Sequence, residues 1–229
     1  MKISTTKTEV MKITRTPTPV DVCVGNNKIK QVREFKYLGS TFTEDGKIDR
    51  EIEMRTHKAN VAAYQLSPLL KHPSMPMNTK KQLINSIFIP TLCYQCQTWT
   101  LNKAHERKIQ TCEMRCLRKA VNKTRLDRVR NEDIRNTIGT APCMNYIEKQ
   151  RIKWFGHLVR MRHDQLAAQA YNYYYSGRRA RGRPRKRWIE WVSETCHKGD
   201  LSITEASHLA LVRKLHLHTT LKDNSGRIK

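Results

Sequence analysis

The spacing of apolar residues changes near residue 50, and this change constrains the fold more than any other feature of the chain. Upstream, short β-prone stretches such as Val10–Ile13 and Val20–Val24 are separated by prolines and by the turn-forming run Gly25-Asn26-Asn27. Downstream, apolar residues recur at helical spacing, first as Ile52, Ala59, Ala63, Leu66 and Leu70. The pattern predicts a mainly α-helical protein with a short N-terminal β-hairpin, a helical bundle and a basic, partly disordered C-terminal extension.

Helical spacing predicts further helices along the rest of the chain. The first of them is capped by Asn78 or Thr79, and its apolar side includes Leu83, Ile84, Ile87 and Phe88. The next covers about 104–121 and buries Ile109, Cys112, Cys116 and Ala120. Later helices are expected to begin at Asn131, to cover about 145–161, and to cover about 203–221 with Leu217 facing inward.

The charge of the chain favours a polyanionic partner. The formal net charge is +24, and residues 101–190 hold 23 Lys and Arg against 8 Asp and Glu. Such a field attracts nucleic acid strongly and with little selectivity, and an anionic membrane surface is the rival partner. Because only 38% of the residues are hydrophobic, several modest helical units are expected instead of one large core.

The most basic segment is the run from Arg178 to Arg187, in which seven of ten residues are Lys or Arg. It can bind phosphates, act as a nuclear localisation signal, or enter a narrow minor groove, since its Gly-Arg-Pro sequence resembles the core of AT-hook peptides. The aromatic residues nearby either stack on single-stranded bases or, in the case of the two tryptophans, form the buried side of a short helix. They are Tyr171, Tyr173, Tyr174, Tyr175, Trp188 and Trp191.

Cysteine count and hydropathy indicate the compartment. Seven cysteines form no regular framework, and the N-terminus lacks the apolar core of a secretory signal, as expected of a reducing compartment. The longest apolar stretch, near Ile87–Tyr94, is too short to span a membrane and is broken by Pro90. We therefore predict a nuclear or cytoplasmic protein that is neither secreted nor membrane-bound.

The order Cys93-x-x-Cys96, His105, Cys112 loosely resembles a zinc-binding set. Trp99 interrupts it, the second spacing is long, and Cys112 falls on the apolar side of a predicted helix. We therefore predict no metal site and no bound cofactor in this chain. No Ser/His/Asp nucleophile set, phosphate-binding P-loop or dinucleotide fingerprint is present, so no defined small-molecule ligand is expected.

Several blocks in a fixed order carry a resemblance to a known family. They are Phe35-Lys36-Tyr37-Leu38-Gly39-Ser40, Leu92-Cys93-Tyr94 with Trp99, Glu113 with Leu117-Arg118, Trp154-Phe155-Gly156-His157-Leu158-Val159-Arg160-Met161, and Arg181-Gly182-Arg183-Pro184-Arg185-Lys186-Arg187-Trp188. Over roughly Thr5 to Trp191 the chain resembles the reverse transcriptases of non-LTR (LINE-type) retrotransposons. The first block resembles the point where the polymerase palm gives way to the thumb.

The resemblance implies polymerase ancestry without polymerase chemistry. Lys7, Thr8 and Met11 match a palm segment of the family in which the lysine lies near the incoming triphosphate. The two Mg²⁺ ions of such enzymes are held by carboxylates of a Tyr-x-Asp-Asp turn, and this chain has no Asp-Asp pair. In the family's order those carboxylates precede Met1. We therefore expect no catalytic residue here and no polymerase activity from this chain by itself.

The resemblance and the changes of pattern together predict the domain organisation. A palm remnant with a β-hairpin covers 1–49, a thumb-like helical domain 50–140, a helical segment 141–175, a basic linker 176–187 and C-terminal helices 188–229. The predicted function is to grip a template–primer, RNA or DNA, through phosphate contacts. The candidate contacts are Lys58, Lys80, Lys81, Arg178, Arg179, Arg181, Arg183, Arg185, Lys186 and Arg187.

Other functions remain open at this stage. The chain is alternatively a non-enzymatic nuclear nucleic-acid-binding protein derived from a retroelement, or a non-functional remnant. A complete small nuclease built from scattered acids is a third alternative. The only adjacent acids are Glu44-Asp45, in a turn with Gly46, and Glu132-Asp133, at a predicted helix start. Turn and cap positions favour solvated structural roles for both pairs.

Replacement of Arg181, Arg183, Arg185 and Lys186 with alanine is expected to weaken binding to nucleic acid of any sequence. The salt dependence of the binding constant should flatten as well, because fewer counterions are released when fewer phosphates are neutralised. Titrations of a labelled duplex at several salt concentrations measure both effects. An unchanged salt slope would contradict the assignment of these side chains to phosphate contacts.

Overall fold

The computed structural model describes residues 3–14, 18–173, 182 and 186–212 of the 229-residue chain. Helices predominate and strands are few and short, which confirms the mainly α-helical prediction. The chain divides into two compact units. Unit 1 comprises Met1–Tyr94 and Leu101–Ile138, and unit 2 comprises Gln95–Thr100 and Gly139–Lys229.

The strands of unit 1 pair in three two-stranded sheets. They are β1 (Glu9–Val10), β2 (Cys23–Val24), β3 (Asn27–Lys28), β4 (Lys30–Gln31), β5 (Glu34–Tyr37) and β6 (Ser40–Thr43). β1 pairs with β4 in parallel, while β2–β3 and β5–β6 are antiparallel hairpins. The predicted turn at Gly25 is confirmed. The strands β1 and β2 are shorter than the β-prone stretches Val10–Ile13 and Val20–Val24 from which they were predicted.

The turn between β5 and β6 depends on two residues with positive φ. Leu38 has φ 46° and Gly39 has φ 87°, and Phe35 pairs with Phe42 across the hairpin. Two-residue turns of this hand match the twist of the strands they join, and glycine adopts the second position without strain. A Cβ atom at Gly39 would also lie 3.4 Å from the ring of Tyr94. Glycine is therefore favoured here by backbone conformation, whereas the contact with Tyr94 is of ordinary van der Waals length.

The helices of unit 1 follow the sequence pattern closely. They are α1 (Asp49–Gln65), α2 (Ser67–Lys71), α3 (Met77–Leu83), α4 (Ile89–Leu92), α5 (Lys103–Ala120) and α6 (Asn131–Ile138). α1 packs against α5 and α4, and α5 also contacts α2 and α6. The residues predicted to face inward on the first and third helices, from Ile52 to Leu70 and from Ile109 to Ala120, are buried.

The cap and one apolar position of the second predicted helix were wrong. α3 begins at Met77 after Pro76, so Asn78 and Thr79 lie inside the helix and neither caps it. Between α3 and α4 the helix widens into a π turn over Ile84–Phe88. Ile84 and Phe88 are buried, whereas Ile87 is 41% exposed. The wider turn directly precedes Pro90, which has no amide hydrogen for the carbonyl of Ser86. A period of 3.6 residues assumes a regular helix, so it placed Ile87 on the wrong side.

Unit 2 is built on a second apolar core. It contains a 3₁₀ turn (Cys96–Thr98) and the helices α7 (Cys143–Val159), α8 (Leu166–Asn172), α9 (Trp188–Lys198) and α10 (Ile203–Leu211). α7, α9 and α10 bury Ile152, Phe155, Val192, Cys196, Leu201, Ala206 and Ala210 together. The short helix α8 was not predicted. The predicted extension of the last helix to residue 221, with Leu217, lies outside the described residues.

A buried ion pair joins the β5–β6 hairpin to α1. The Arg55 guanidinium donates to the Glu51 carboxylate at 2.6 Å and to the carbonyl oxygen of Gly39. The Glu51 carboxylate also accepts the backbone N–H of Thr41 at 2.7 Å. Arg55 lies 4.4 Å from the ring centroid of Tyr94, whose hydroxyl donates to the carbonyl oxygen of Leu38 at 3.0 Å. Two sequence blocks far apart in the chain therefore meet around one arginine.

Arg55→Met is expected to destabilise unit 1 by about 3 kcal/mol, because it leaves the Glu51 carboxylate buried without a cation. The double variant Glu51→Gln/Arg55→Met should lose less than the sum of the two single changes. Urea unfolding followed by far-UV circular dichroism measures the loss. Trp99, Trp154, Trp188 and Trp191 all belong to unit 2, so tryptophan fluorescence reports that unit separately.

Arg50→Ala is the matched control for this change. Arg50 is also on α1 and also contacts carboxylates, Glu34 at 3.1 Å and Glu53 at 3.7 Å, but all three side chains are largely exposed. Exposed pairs contribute at most about 1 kcal/mol. A loss in Arg55→Met no greater than that in Arg50→Ala would contradict the anchoring role of the buried pair.

Candidate nucleic-acid interface

The segment joining α5 to α6 is strongly cationic. We call residues 121–130 the cationic loop; its charged residues are Lys123, Arg125, Asp127, Arg128 and Arg130. All of them are exposed. The backbone of Asn122 has φ 51° and that of Arg128 has φ 53°, so the loop turns sharply near each end. These turns fold the loop back beside the C-terminal part of α5.

Arg118, in the last turn of α5, holds the cationic loop in place. Its guanidinium donates to the carbonyl oxygens of Thr124 at 3.1 Å and Val129 at 3.0 Å. It also donates to Oδ1 of Asn131, the first residue of α6, at 2.9 Å. A planar guanidinium with several donors is suited to such bridging. One side chain thus links the end of α5, both sides of the loop and the start of α6.

Asp127 stabilises the cationic loop through hydrogen bonds to Thr124 of the same loop. Its carboxylate accepts the backbone N–H of Thr124 at 2.6 Å and the hydroxyl of the same residue at 2.7 Å. These bonds, the backbone one first, lower the pKa of Asp127 below its usual value. Lys123 lies 3.9 Å from the same carboxylate. The single acid of the cationic loop is therefore committed to the loop's own backbone.

A second buried ion pair lies beneath the loop. Arg135 of α6 donates to the Glu113 carboxylate of α5 at 2.7 Å, and both side chains are buried. Leu117 and Ile134 are each 1% exposed and pack in the same region of unit 1. Glu113 and Leu117, which carried part of the family resemblance, thus form the junction between α5 and α6 together with Ile134. Their place in the fold is structural: they hold α5 and α6 where the loop between them can be fixed.

The C-terminal half of α5 and the cationic loop line an open cavity of about 550 Å³, which we call the basic cavity. Among the described residues that line it, none is acidic. Its lining side chains are Gln110, Thr111, Met114, Arg115, Arg118, Lys119, Lys123, Thr124, Arg125 and Asn131. Five of these are cationic, and the Arg125 side chain is exposed on the loop. A concave surface of one charge concentrates anions.

The candidate contacts predicted on the thumb-like helices differ in their surroundings. Lys58 on α1 and Lys81 on α3 are half-buried. Lys80 is 4% exposed, and its ammonium donates to the carbonyl oxygen of Ala120, at the end of α5, at 3.1 Å. A cation at a helix C-terminus complements the partial negative charge there. Because Lys80 is buried and already bonded, we leave it out of the proposed phosphate contacts.

Part of the basic run can be placed. The ammonium of Lys186 lies 3.5 Å from the ring centroid of Trp191 and pairs with the Glu194 carboxylate. Arg187 is exposed and donates to Glu190 at 3.2 Å. The remaining candidates, Arg178, Arg179, Arg181, Arg183 and Arg185, lie outside the described residues. Their assignment as phosphate contacts stays a prediction.

The aromatic residues near the basic run mostly pack within unit 2. The indole N–H of Trp188 donates to the carbonyl oxygen of Gln97 at 2.7 Å, and its ring meets Tyr171 edge-on at 6.5 Å. Trp191 has Arg151 5.4 Å from its ring centroid in addition to Lys186. Of the two roles expected for them, the two tryptophans therefore fit packing within the fold better than stacking on bases. Tyr173 is exposed, and Tyr174 and Tyr175 lie outside the described residues.

The residues considered for catalysis lie in loop turns or at the start of a helix. Lys7 is exposed in a turn whose amides bond to the carbonyl of Ser4. Asp45 accepts the hydroxyl of Thr43 at 2.6 Å and the backbone N–H of Lys47 at 3.0 Å. Those bonds, the hydroxyl first, lower the pKa of Asp45 to about 2. Glu132 and Asp133 form the acidic first turn of α6, the helix-start position predicted for them.

The cysteines and histidine of the zinc-like order have other neighbours. Cys112 faces the carbonyl of Thr56 and the amide of Asn60, and Nε2 of His105 lies 3.0 Å from the Asp49 carboxylate. Over the described part of the chain, no three His, Cys, Asp or Glu side chains are grouped to hold a metal ion. Burial raises the pKa of Cys116 to about 12 and that of Cys196 to about 11, so these thiols stay protonated.

The sequence reasoning did not single out the basic cavity. Its cations come from two elements, Arg115, Arg118 and Lys119 from α5, and Lys123 and Arg125 from the loop. The Arg178–Arg187 segment is evident in the sequence because its charges are adjacent. The cations of the basic cavity are instead spaced along a helix and a loop. The one signal that pointed to them was the charge excess of residues 101–190.

Comparison with known proteins gives one informative similarity. A transposon-derived, uncharacterized protein of Caenorhabditis elegans is 27% identical over 168 residues, which is 70% of this chain and 60% of that protein. The chain therefore spans about 60% of the length of the curated relative it matches. No family model and no solved structure matches the chain. The similarity is consistent with an origin in a transposable element.

None of the described helices is both long and apolar enough to cross a membrane.

Lys80→Met is expected to lower the stability of unit 1 by about 2 kcal/mol, because it removes the buried donor to the Ala120 carbonyl. Lys81→Ala removes the neighbouring, half-buried lysine, and it should change the stability of unit 1 by less than about 0.5 kcal/mol. Urea unfolding followed by circular dichroism makes the comparison. Equal and small effects of the two substitutions would contradict a structural role for Lys80.

Proposed function

We propose that this chain is the nucleic-acid-binding C-terminal part of a non-LTR retrotransposon reverse transcriptase. In this proposal it grips template–primer nucleic acid through phosphate contacts and does not polymerise by itself. The basic cavity is the observation that carries the proposal, because five cationic side chains surround it and no described lining residue is acidic. Phosphate is the anion that nucleic acids present in a regular row.

The cavity is suited to phosphate binding because its wall is fixed before the ligand arrives. Arg118 and Asp127 hold the cationic loop by hydrogen bonds to its own backbone. Little backbone entropy is then lost when Lys123 and Arg125 meet an anion, and the remaining entropy cost is that of the two side chains. Contacts of this kind position a nucleic acid and carry no sequence information. We therefore expect tight, salt-sensitive and sequence-tolerant binding.

The retroelement assignment is supported by the transposon-derived relative and by the order of the sequence blocks. In the fold the first of these blocks contacts the second. Leu38 and Gly39 of the first block bond to Tyr94 and Arg55, and Trp99 accepts a hydrogen bond from Arg151 at 3.3 Å on its carbonyl oxygen. Residues that touch each other constrain one another's identity.

The absence of an Asp-Asp pair from the sequence supports the second half of the proposal. Two-metal nucleotidyl transfer needs carboxylates that hold both ions, so Mg²⁺ belongs to the parent polymerase in this proposal. The basic cavity needs no such carboxylates in order to bind. The same surface therefore also suits the alternative of a retroelement-derived nucleic-acid-binding protein that acts without polymerisation.

The double variant Lys123→Ala/Arg125→Ala tests the proposal. It is expected to weaken binding to a labelled DNA duplex and to lower the slope of log K against log salt by about 1.8, since about 0.9 counterion is released per phosphate neutralised. Both side chains are exposed, and the Asp127–Thr124 bonds that shape the loop remain. Fluorescence anisotropy across salt concentrations measures the slope, and circular dichroism confirms that the fold is kept.

Lys28→Ala/Lys30→Ala is the matched control, because it removes the same formal charge from strands of unit 1 that do not line the cavity. It should leave the slope nearly unchanged. Equal effects of the two double variants would show that only net charge matters and would overturn the cavity assignment. Anionic lipid vesicles provide a further arm: vesicle binding stronger than duplex binding at equal salt would favour a membrane surface instead.

A further inference from the structure

An exposed tyrosine adjoins the basic cavity. Tyr64 lies in the last turn of α1 and is 76% exposed. Its ring centroid lies 6.0 Å from the ammonium of Lys119, which lines the cavity. An aromatic ring exposed to this extent buries little surface within unit 1, so the fold itself gains little from it. A flat ring beside a cationic cavity is, however, a feature of surfaces that bind single-stranded nucleic acids.

The tyrosine and the cavity are held by the same pair of helices. Lys119 of α5 donates to the carbonyl oxygen of Ala63 on α1 at 3.1 Å. One turn earlier, Arg115 donates to Oδ1 of Asn60 at 3.3 Å. These bonds fix α1 and α5 beside each other at the position of Tyr64. The ring therefore has a defined place relative to the cations.

A nucleotide presents a phosphate and a flat base a short distance apart, as this surface presents cations and a flat ring. Stacking on an aromatic side chain requires a base with a free face. In a duplex the bases are already stacked within the helix, whereas an unpaired nucleotide offers its base freely. Cations beside the ring also favour the phosphate of the same or the next nucleotide. The arrangement thus favours unpaired over paired nucleic acid.

We propose that the basic cavity and Tyr64 together form a site for an unpaired nucleotide of a single strand, with a phosphate in the cavity and a base stacked on Tyr64. This inference rests on the proposed function, since it assumes that the cavity binds phosphate. It adds the class of strand that the site prefers. Every base has a flat face, so the preference concerns strandedness and not sequence.

Tyr64→Ala is expected to weaken binding of a labelled single strand of about 12 nucleotides roughly tenfold, the usual size of one aromatic–base stack. Binding of a blunt duplex of the same length should stay within about twofold. Tyr64→Phe keeps the ring and should retain single-strand affinity, whereas Tyr64→Leu keeps apolar bulk without the ring and should behave as Tyr64→Ala. Fluorescence anisotropy measures all four proteins.

Val61→Ala is the matched control for a general apolar contact. Val61 is on the same helix three residues earlier and is 44% exposed. Its replacement should leave both affinities unchanged. A single strand of the same length with abasic sites tests the base itself: the wild type should bind it about as weakly as Tyr64→Ala binds the normal strand. Inorganic phosphate added as competitor should displace either strand, with a potency independent of Tyr64.

The outcomes separate this inference from the proposed function. If Tyr64→Ala leaves single-strand affinity unchanged, or weakens duplex and single strand equally, the stacking site is overturned while phosphate binding by the cavity stands. If Lys123→Ala/Arg125→Ala has no effect on either ligand, phosphate binding by the cavity fails and the stacking site fails with it. Loss of single-strand affinity confined to Tyr64→Ala and Tyr64→Leu, with Phe neutral, supports the site.

Discussion

The packing of α1 against α5 is the interaction on which most of unit 1 depends. On one side, α1 carries Arg55, whose buried ion pair with Glu51 holds the β5–β6 hairpin. On the other, α5 carries Arg118, which fixes the cationic loop. Side chains of α5 also bond directly to the backbone of α1, Cys112 to the carbonyl oxygen of Thr56 and Lys119 to that of Ala63. If this contact were lost, the hairpin, the basic cavity and the tyrosine beside it would no longer share a fixed frame.

A high net charge does not make every cation a ligand-binding group. Arg55, Lys80 and Arg135 are buried, and each donates to a carboxylate or carbonyl oxygen within unit 1. Burial of a charge is costly unless it is paired, so these side chains are committed to the fold. Lys123 and Arg125 of the cationic loop differ from them because their side chains are exposed to solvent. The division between cations committed to the fold and cations proposed to bind phosphate follows from burial, which a charge count does not contain.

The sequence predicted the helices well where apolar residues kept a regular period, as in α1 and α5. It failed at Ile87, because this residue lies in the π turn over Ile84–Phe88, where the regular helical period does not hold. It also could not distinguish Lys80 from Lys81, since adjacent lysines look alike until a neighbouring helix end, at Ala120, comes close to one of them. The basic cavity escaped notice for the same reason: its cations are separated in sequence and meet only when the loop folds back on α5.

The sequence by itself determined the helical class, the charge excess of its middle third and the set of blocks on which the proposed retroelement assignment rests. Local spacing and composition are enough for these, because each depends on neighbouring residues. Only the tertiary structure decided which cations are buried, how Leu38 and Gly39 meet Tyr94 and Arg55, and that Tyr64 stands beside the basic cavity. Those facts depend on contacts between residues 16 to 56 positions apart, which chain folding creates and no local pattern encodes.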